Sequence, residues 1–101
     1  MTGPTKLTPA AAAPGAAGPH GTIRYWAAAR EAAGCSEEAY AAGTLAAALE
    51  AARAGRDQRF TDVVQRCSFI VDETPVGSRD HDSVVLSDGG VVEVLPPFAG
   101  G

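Results

Sequence analysis

The sequence predicts an α+β fold in which a sheet packs on one main helix. Three observations support this class. Apolar and polar residues alternate after residue 21, an amphipathic helical pattern occupies the middle of the chain, and Val91–Leu95 is rich in β-favouring aliphatics. Because the order is hairpin, helix and then further strands, we expect the helix to cover one face of the sheet.

The first predicted strand begins at Thr22, where residues take the period of a strand with one buried face. The alternating residues are Ile23, Arg24, Tyr25 and Trp26. A short helical turn over Ala29–Ala33 should end at Gly34, a typical helix stop. Glu38–Ala41 is then predicted as a second strand that forms a hairpin with the first.

The main helix is predicted over Leu45–Ala54, with Thr44 as its N-cap and Gly55 ending it. Its apolar residues recur at i, i+3, i+4 and i+7 and form one narrow stripe: Leu45, Ala48, Leu49 and Ala52. The same spacing recurs at Phe60, Val63 and Val64. A second short helix is therefore predicted over Arg59–Gln65, and its register makes Cys67 a buried packing residue.

The last third of the chain returns to β structure. Its predicted elements are a strand over Ser68–Val71, a turn over Asp72–Pro75, an extended piece over Val84–Leu86 and a turn over Ser87–Gly90. Val91–Leu95 follows as the last strand. Pro96 and Pro97 should end it, because neither can donate a hydrogen bond to a β-ladder.

Composition divides the chain near residue 21. Residues 1–21 are nearly all Ala, Pro, Gly and Thr, so we expect a disordered extension, one folded domain over 22–95 and a flexible tail over 96–101. A net charge of −4 with only eight Lys and Arg argues against nucleic-acid binding. No stretch approaches the about 20 apolar residues of a membrane span, and no signal-peptide core is present. We expect a cytoplasmic protein.

Other chemistry-bearing residues are few. The sequence predicts no metal site, because His20 and His81 are its only histidines and His81 falls in a loop that we expect to be solvated. Cys35 and Cys67 lack metal-ligand spacing and should be reduced thiols, with Cys35 on a loop. Two interpretations of Trp26 stay open, an exposed docking aromatic or a cover for the far face of the core.

The chain ends in Gly100-Gly101 soon after its last strand. Pro96 and Pro97 should hold the exit extended, and six residues at ~3.3 Å each reach about 20 Å from the sheet. Glycine permits close approach and leaves the terminal carbonyl open to nucleophiles. A carboxylate must first be activated, usually by attack on the α-phosphate of ATP. The sequence has no phosphate-binding loop, so a partner must bind the ATP.

Three stretches carry motifs of a known family. They are Ile23–Gly34, similar to an opening strand with an Ala-Arg-Glu-x-x-Gly turn; Phe69–Val76, similar to a central strand in which Asp72 stands where Asn is frequent; and Leu86–Gly101, similar to a Leu-x-Asp-Gly-Asp-x-Val turn and strand ending Pro-Pro-x-x-Gly-Gly, with Gly90 in place of Asp. The third is the most specific. Together they resemble the MoaD/ThiS family of sulfur carriers over Thr22–Gly101.

The resemblance implies a ubiquitin-like β-grasp fold, with a mixed sheet packed on one main helix. It implies that an E1-like adenylyltransferase uses ATP and Mg to adenylate Gly101, and that a sulfur donor converts this residue to a thiocarboxylate. The residues implied to bind the partner are Gly100 and Ala99, which would thread its channel, and Phe98, Pro97 and Pro96, which would anchor the base of the tail. The chain itself would bind no cofactor and would be the non-catalytic carrier subunit of a sulfurtransferase.

Within this family the Pro-Pro pair before the last four residues is most similar to the small subunit of molybdopterin synthase. That resemblance implies a large-subunit partner and molybdenum cofactor biosynthesis. Phe98 departs from the small β-branched residue that is commoner there. Carriers for thiamine or cysteine biosynthesis therefore stay open. So do a ubiquitin-like modifier joined to target lysines through Gly101, and an interaction domain with an inert terminus.

Overall fold

The computed structural model describes residues 18–97. The helices and strands in this range are, in order, β1 (His20–Tyr25), α1 (Ala27–Ala33), β2 (Glu37–Ala41), α2 (Leu45–Arg53), α3 (Gln58–Gln65), β3 (Ser68–Val71), β4 (Thr74–Pro75), a 3-10 turn (His81–Ser83) and β5 (Val91–Leu95). Most of the predicted extension and the last four residues, 98–101, lie outside the described residues. Within residues 18–97, no helix is long and apolar enough to span a bilayer.

The strands form one sheet in the order β2-β1-β5-β3-β4. β5 lies between β1, to which it is parallel, and β3, to which it is antiparallel. β2 is antiparallel to β1, as the hairpin prediction requires. The sheet is therefore mixed, and the strand that leads to the tail is held on both sides.

The three helices share one core with one face of the sheet. The buried residues that join them are Ile23, Tyr25, Phe69, Val71, Val92 and Val94 from the strands, and Ala29, Leu45, Ala48, Leu49, Ala52, Phe60 and Val64 from the helices. All four residues of the predicted α2 stripe are buried, which confirms that prediction. Because alternate strand residues point to opposite sides, the other face of the sheet carries none of these helices.

Both longer helices have side-chain N-caps. The Thr44 hydroxyl accepts a hydrogen bond from the backbone N–H of Ala47 at 3.2 Å, as predicted. The Asp57 carboxylate accepts from the backbone N–H of Phe60 at 3.1 Å, a cap that the apolar spacing alone does not reveal. α2 ends at Arg53, one residue before the predicted end.

β1 and α1 begin two residues earlier than predicted, and β2 and α3 begin one residue earlier. β1 begins at His20, two residues before Thr22, with Gly21 paired to Tyr40. A Cβ at Gly21 would overlap the Tyr40 ring, so glycine is required where the ring crosses the strand. α1 begins at Ala27 instead of Ala29. Small residues such as Gly21 and Ala27 bury little apolar area, so hydrophobic periodicity indicates only weakly where β1 and α1 begin.

The predicted turn over Asp72–Pro75 is only partly correct. Asp72 and Glu73 have φ values of 49° and 71°. Positive φ at both central residues is the geometry of a tight two-residue hairpin turn. Thr74 and Pro75 form β4, the short edge strand that pairs with β3. A proline is tolerated there because an edge strand forms β-ladder hydrogen bonds with a neighbouring strand on one side only.

Candidate functional site

The candidate site begins where β5 leaves the sheet. The backbone N–H of Trp26 donates to the Val94 carbonyl at 3.1 Å, which extends the pairing of β1 with β5. Pro96 is buried and Pro97 is exposed. The tail therefore starts from a fixed point at the end of a central strand.

The structure describes only the base of the predicted tail site. Pro96 and Pro97 end the strand, as predicted. Phe98, Ala99, Gly100 and Gly101 lie outside the described residues. Their roles in threading a channel and carrying an activated carboxylate stay predictions.

The sheet surface opposite the helices, which we call the outer face, continues directly from this exit. It is formed by the alternate residues of the three inner strands: Thr22, Arg24, Ser68, Ile70, Val91, Glu93 and Leu95. Trp26 lies at its margin with 40% of the residue exposed. Its indole Nε1 donates to Glu93 Oε1 at 3.1 Å, and the Arg24 guanidinium carbon lies 5.9 Å from its ring centroid. Trp26 is therefore a surface residue at the margin of the outer face.

An acidic recess of about 290 Å³ lies on the outer face. It is lined by Arg24, Asp72, Glu73, Val91 and Glu93, so its lining contains three carboxylates and one guanidinium. The Asp72 carboxylate accepts from the Val91 backbone N–H and from the Ser87 hydroxyl, each at 2.8 Å. These hydrogen bonds hold Asp72, in the turn between β3 and β4, against the start of β5. With three carboxylates and one guanidinium, the recess has a net negative charge.

A second charged cluster, which we call the inner corner, lies among the helices. Arg56 donates to both carboxylate oxygens of Glu38, at 2.9 and 3.2 Å, and its guanidinium carbon lies 4.8 Å from the Phe60 ring centroid. The Tyr25 hydroxyl also donates to Glu38. Burial, followed by this hydrogen bond, raises the pKa of Tyr25 far above its usual value. The cluster faces the core, so its geometry indicates a structural role.

The two cysteines have different surroundings. The Cys67 thiol donates to the Val63 carbonyl at 3.2 Å, and burial raises its pKa to about 11, which keeps it protonated. It packs against the core as predicted, but it is half-buried instead of buried. Cys35 lies on the predicted loop, half-buried, with Sγ 3.7 Å from Arg56 Nη2. His81 corrects a prediction. It is half-buried instead of fully solvated, and it packs edge-on against Phe69 with ring centroids 5.0 Å apart.

Comparison with known proteins identifies related sequences and folds. The model of the ThiS family matches residues 23–101 of the chain. Among solved structures, small archaeal modifier protein 1 from Methanosarcina acetivorans superposes with a TM-score of 0.70 at 16% identity, covering 82% of this chain and 97% of the other. A search of the curated proteins finds no match.

Two further structures have names connected with molybdopterin. A putative molybdopterin converting factor, subunit 1, from Pyrococcus furiosus gives a TM-score of 0.65 at 22% identity, covering 79% of this chain and 99% of the other. A complex of subunits 1 and 2 of the molybdopterin-converting factor from Helicobacter pylori contains a chain with a TM-score of 0.58 at 21% identity, covering 81% and 99%. These similarities show a shared fold, and they confirm the predicted ubiquitin-like β-grasp architecture.

Proposed function

The chain belongs to the ThiS family, and from this premise we propose that it is a sulfur carrier acting through the carboxylate of Gly101. The observation that carries the proposal is the position of the exit. β5, a central strand of the sheet, ends at Leu95 and is followed by buried Pro96, and the family match runs to residue 101 itself. The four residues after Pro97 span about 13 Å at ~3.3 Å each. The carboxylate would therefore react inside a partner.

The proposed chemistry has two steps. In an E1-like adenylyltransferase, a carboxylate oxygen of Gly101 attacks the α-phosphate of Mg-bound ATP, and pyrophosphate leaves. A sulfide equivalent from a sulfur donor then attacks the acyl carbon, and AMP leaves with the carboxylate oxygen attached, giving the thiocarboxylate. The chain contributes the carboxylate and a substituent-free approach at Gly100, while the partner supplies the ATP site.

We further propose that the sulfur enters molybdopterin, which makes the chain a small subunit that docks on a molybdopterin synthase large subunit in the cytoplasm. The Pro96-Pro97 pair supports this destination. So does the fold shared with two proteins named as molybdopterin converting factor subunit 1, one of them in complex with subunit 2. Thiamine and cysteine biosynthesis are the alternative destinations. Supplying the purified thiocarboxylate to each acceptor enzyme distinguishes them by which product acquires sulfur.

Intact-mass measurement tests the carrier function. The full chain, incubated with its adenylating enzyme, Mg-ATP and sulfide, should gain ~16 Da as one oxygen is replaced by sulfur. A chain lacking Gly101 should gain nothing. A chain with an added N-terminal tag is the matched control and should gain the same mass as the untagged protein. An unchanged gain without Gly101 would rule out the proposal.

A protein modifier is the second candidate, favoured by the fold shared with small archaeal modifier protein 1. Both functions begin with the same acyl-adenylate, which would then be captured by a target lysine instead of sulfide. The chain contains Lys6 as its only lysine, so polymeric chains of itself would have a single linkage site. Higher-mass conjugates of the tagged chain in cell extract, lost when Gly101 is deleted, would favour this function.

A further inference from the structure

We propose that a cavity between α2, α3 and the start of β3 is a binding site for the chain's own Phe98, which holds the C-terminal tail against the domain when no partner binds it. The cavity suits an aromatic ring followed by a carboxylate, and this is the chemistry of the last four residues, Phe98–Gly101. The inference goes beyond the carrier function and does not depend on it, because it concerns the chain by itself.

The cavity has room for the ring. Its volume is about 360 Å³, and its lining combines the apolar side chains of Leu49, Val64 and Phe69 with the cationic Arg53 and the imidazole of His81. The His81 ring packs edge-on against Phe69, so the cavity has an aromatic wall. A cavity of about 150 Å³ is sufficient for benzene, so this one holds a phenyl ring and part of the residue beside it.

The tail leaves the sheet beside this cavity. In the ladder between β3 and β5, Ser68 pairs with Leu95, the residue before Pro96. Ser68 also lines the cavity. Adjacent strands lie about 4.8 Å apart, and the two steps from Pro96 to Phe98 span about 7 Å. Phe98 can therefore cross the start of β3 and place its ring in the cavity.

Charge also favours this occupant. Arg53 is half-buried at the end of α2, and within residues 18–97 it forms no ion pair. No Asp or Glu belongs to the described lining of the cavity, although the chain has a net charge of −4. The Gly101 carboxylate follows Phe98 by about 10 Å of extended chain and can approach Arg53. The acidic recess of the outer face, with three carboxylates, would repel it.

The proposed contact is reversible. Burial of the ring in a cavity open to solvent is favourable, while ordering the residues that carry it costs conformational entropy of similar size. Bound and released tails should therefore both be populated, and a partner that takes the released tail shifts the equilibrium towards it. Phe98 stands where similar sequences more often carry a small β-branched residue, and the cavity gives this departure a role.

Methyl NMR of the full chain tests the contact. The Leu49 and Val64 methyl groups line the cavity, so a bound ring should shift their resonances through its ring current. Phe98→Ala should remove this shift, whereas Ala99→Gly, the matched control in the tail, should retain it. The methyl resonances of Val85, which is exposed and does not line the cavity, should be the same in all three proteins. Identical cavity methyl resonances in the unmodified chain and Phe98→Ala would overturn the proposal.

Two further measurements identify the occupant. Through-space NOE cross-peaks from ring protons to the Val64 methyls, present in the unmodified chain and lost in Phe98→Ala, support the contact. Their absence from the unmodified chain contradicts it. Shifts that are unchanged on tenfold dilution place the ring in its own chain. Shifts that disappear on dilution show that the tail of a second copy occupies the cavity, which overturns the proposal.

A charge variant tests the part assigned to Arg53. In an Arg53→Gln background, the shift removed by Phe98→Ala should be about twofold smaller, because an ion pair of this kind contributes little more. Arg53→Lys keeps the charge and should keep the full shift. Arg59→Gln is the matched control, since it removes an exposed arginine of α3 that pairs with Glu31 outside the cavity. Equal shifts in the Arg53→Gln and Arg59→Gln backgrounds would exclude a role for the terminal carboxylate.

Discussion

The inner corner and the outer face contain the same side-chain types and differ in burial. Each places an arginine near an aromatic ring and a carboxylate. In the inner corner, the side chains of Arg56 and Glu38 are 20% and 29% exposed and joined by two hydrogen bonds. On the outer face, Arg24 pairs with Glu37 of the adjacent edge strand β2; their side chains are 51% and 59% exposed and approach only to 3.8 Å.

The difference separates groups that stabilise the fold from groups that stay available to a partner. Arg56 also donates to two backbone carbonyls, those of Ala33 and Ala52, so it ties α1 to the end of α2. Its removal would leave the half-buried Glu38 carboxylate with the Tyr25 hydroxyl as its remaining side-chain donor, and would take one donor from each of the two carbonyls. An exposed pair such as that of Arg24 contributes at most about 1 kcal/mol, so docking can rearrange it at little cost.

The largest effect is therefore expected from the inner arginine. Arg56→Ala should lower the free energy of unfolding by about 2–3 kcal/mol, since it removes one partner of a largely buried ion pair. Arg24→Ala is the matched control and should change it by less than about 0.5 kcal/mol. Urea denaturation at pH 7 measures both. Equal losses for the two variants would show that burial does not distinguish the two regions.

A smaller effect, visible only at alkaline pH, comes from Tyr25. Because its pKa is raised in the folded chain, the unfolded chain releases this proton first, above about pH 10, while the folded chain keeps it. The free energy of unfolding should therefore fall as pH rises, with Tyr25 contributing up to about 1.4 kcal/mol per pH unit. Tyr25→Phe should reduce the fall above pH 10 in urea titrations at pH 8, 10 and 11, while Tyr40, whose pKa is also raised by burial, should keep part of it.

Two controls belong to this pH series. Cys67, with its pKa raised to about 11, loses its proton first in the unfolded chain above about pH 9, so it adds to the fall between pH 9 and 11. Cys67→Ala should remove that earlier part and leave the fall above pH 10. Trp26→Phe, on the outer face, should retain the full pH dependence. If Tyr25→Phe and Trp26→Phe give the same slope, the inner corner does not hold the Tyr25 proton.

The sequence alone predicted the elements whose structure is determined by local signals. Val91–Leu95, with a Gly-Gly turn before it and Pro-Pro after it, predicted β5 at its observed bounds. The α2 stripe and its Thr44 cap were equally local, because helical spacing and capping act within one turn. The tail as a candidate site also followed from residue order alone.

The rest depended on contacts between distant residues. Arg56 meets Glu38 across 18 positions and Trp26 meets Glu93 across 67, and neither pair has a local spacing that could predict it. Asp72–Pro75 has the composition of a turn, yet Thr74 and Pro75 pair with β3. The positive φ values at Asp72 and Glu73 reverse the chain and bring these two residues back onto β3. His81 lies among loop residues but is half-buried, with its ring against Phe69, 12 positions away in the sequence.

The smallest effect is expected at the hydrogen bond of the outer face. Trp26→Phe removes the indole N–H from Glu93 but keeps a ring, and because the bond is exposed, water can replace the donor. The free energy of unfolding should therefore change by less than about 0.5 kcal/mol. Tyr25→Phe, which removes a part-buried donor from Glu38, is the matched comparison and should cost about 1 kcal/mol at pH 7. A cost at Trp26 as large as that at Tyr25 would mean that the fold itself requires the outer-face bond, and the ring would then not be free to serve a partner.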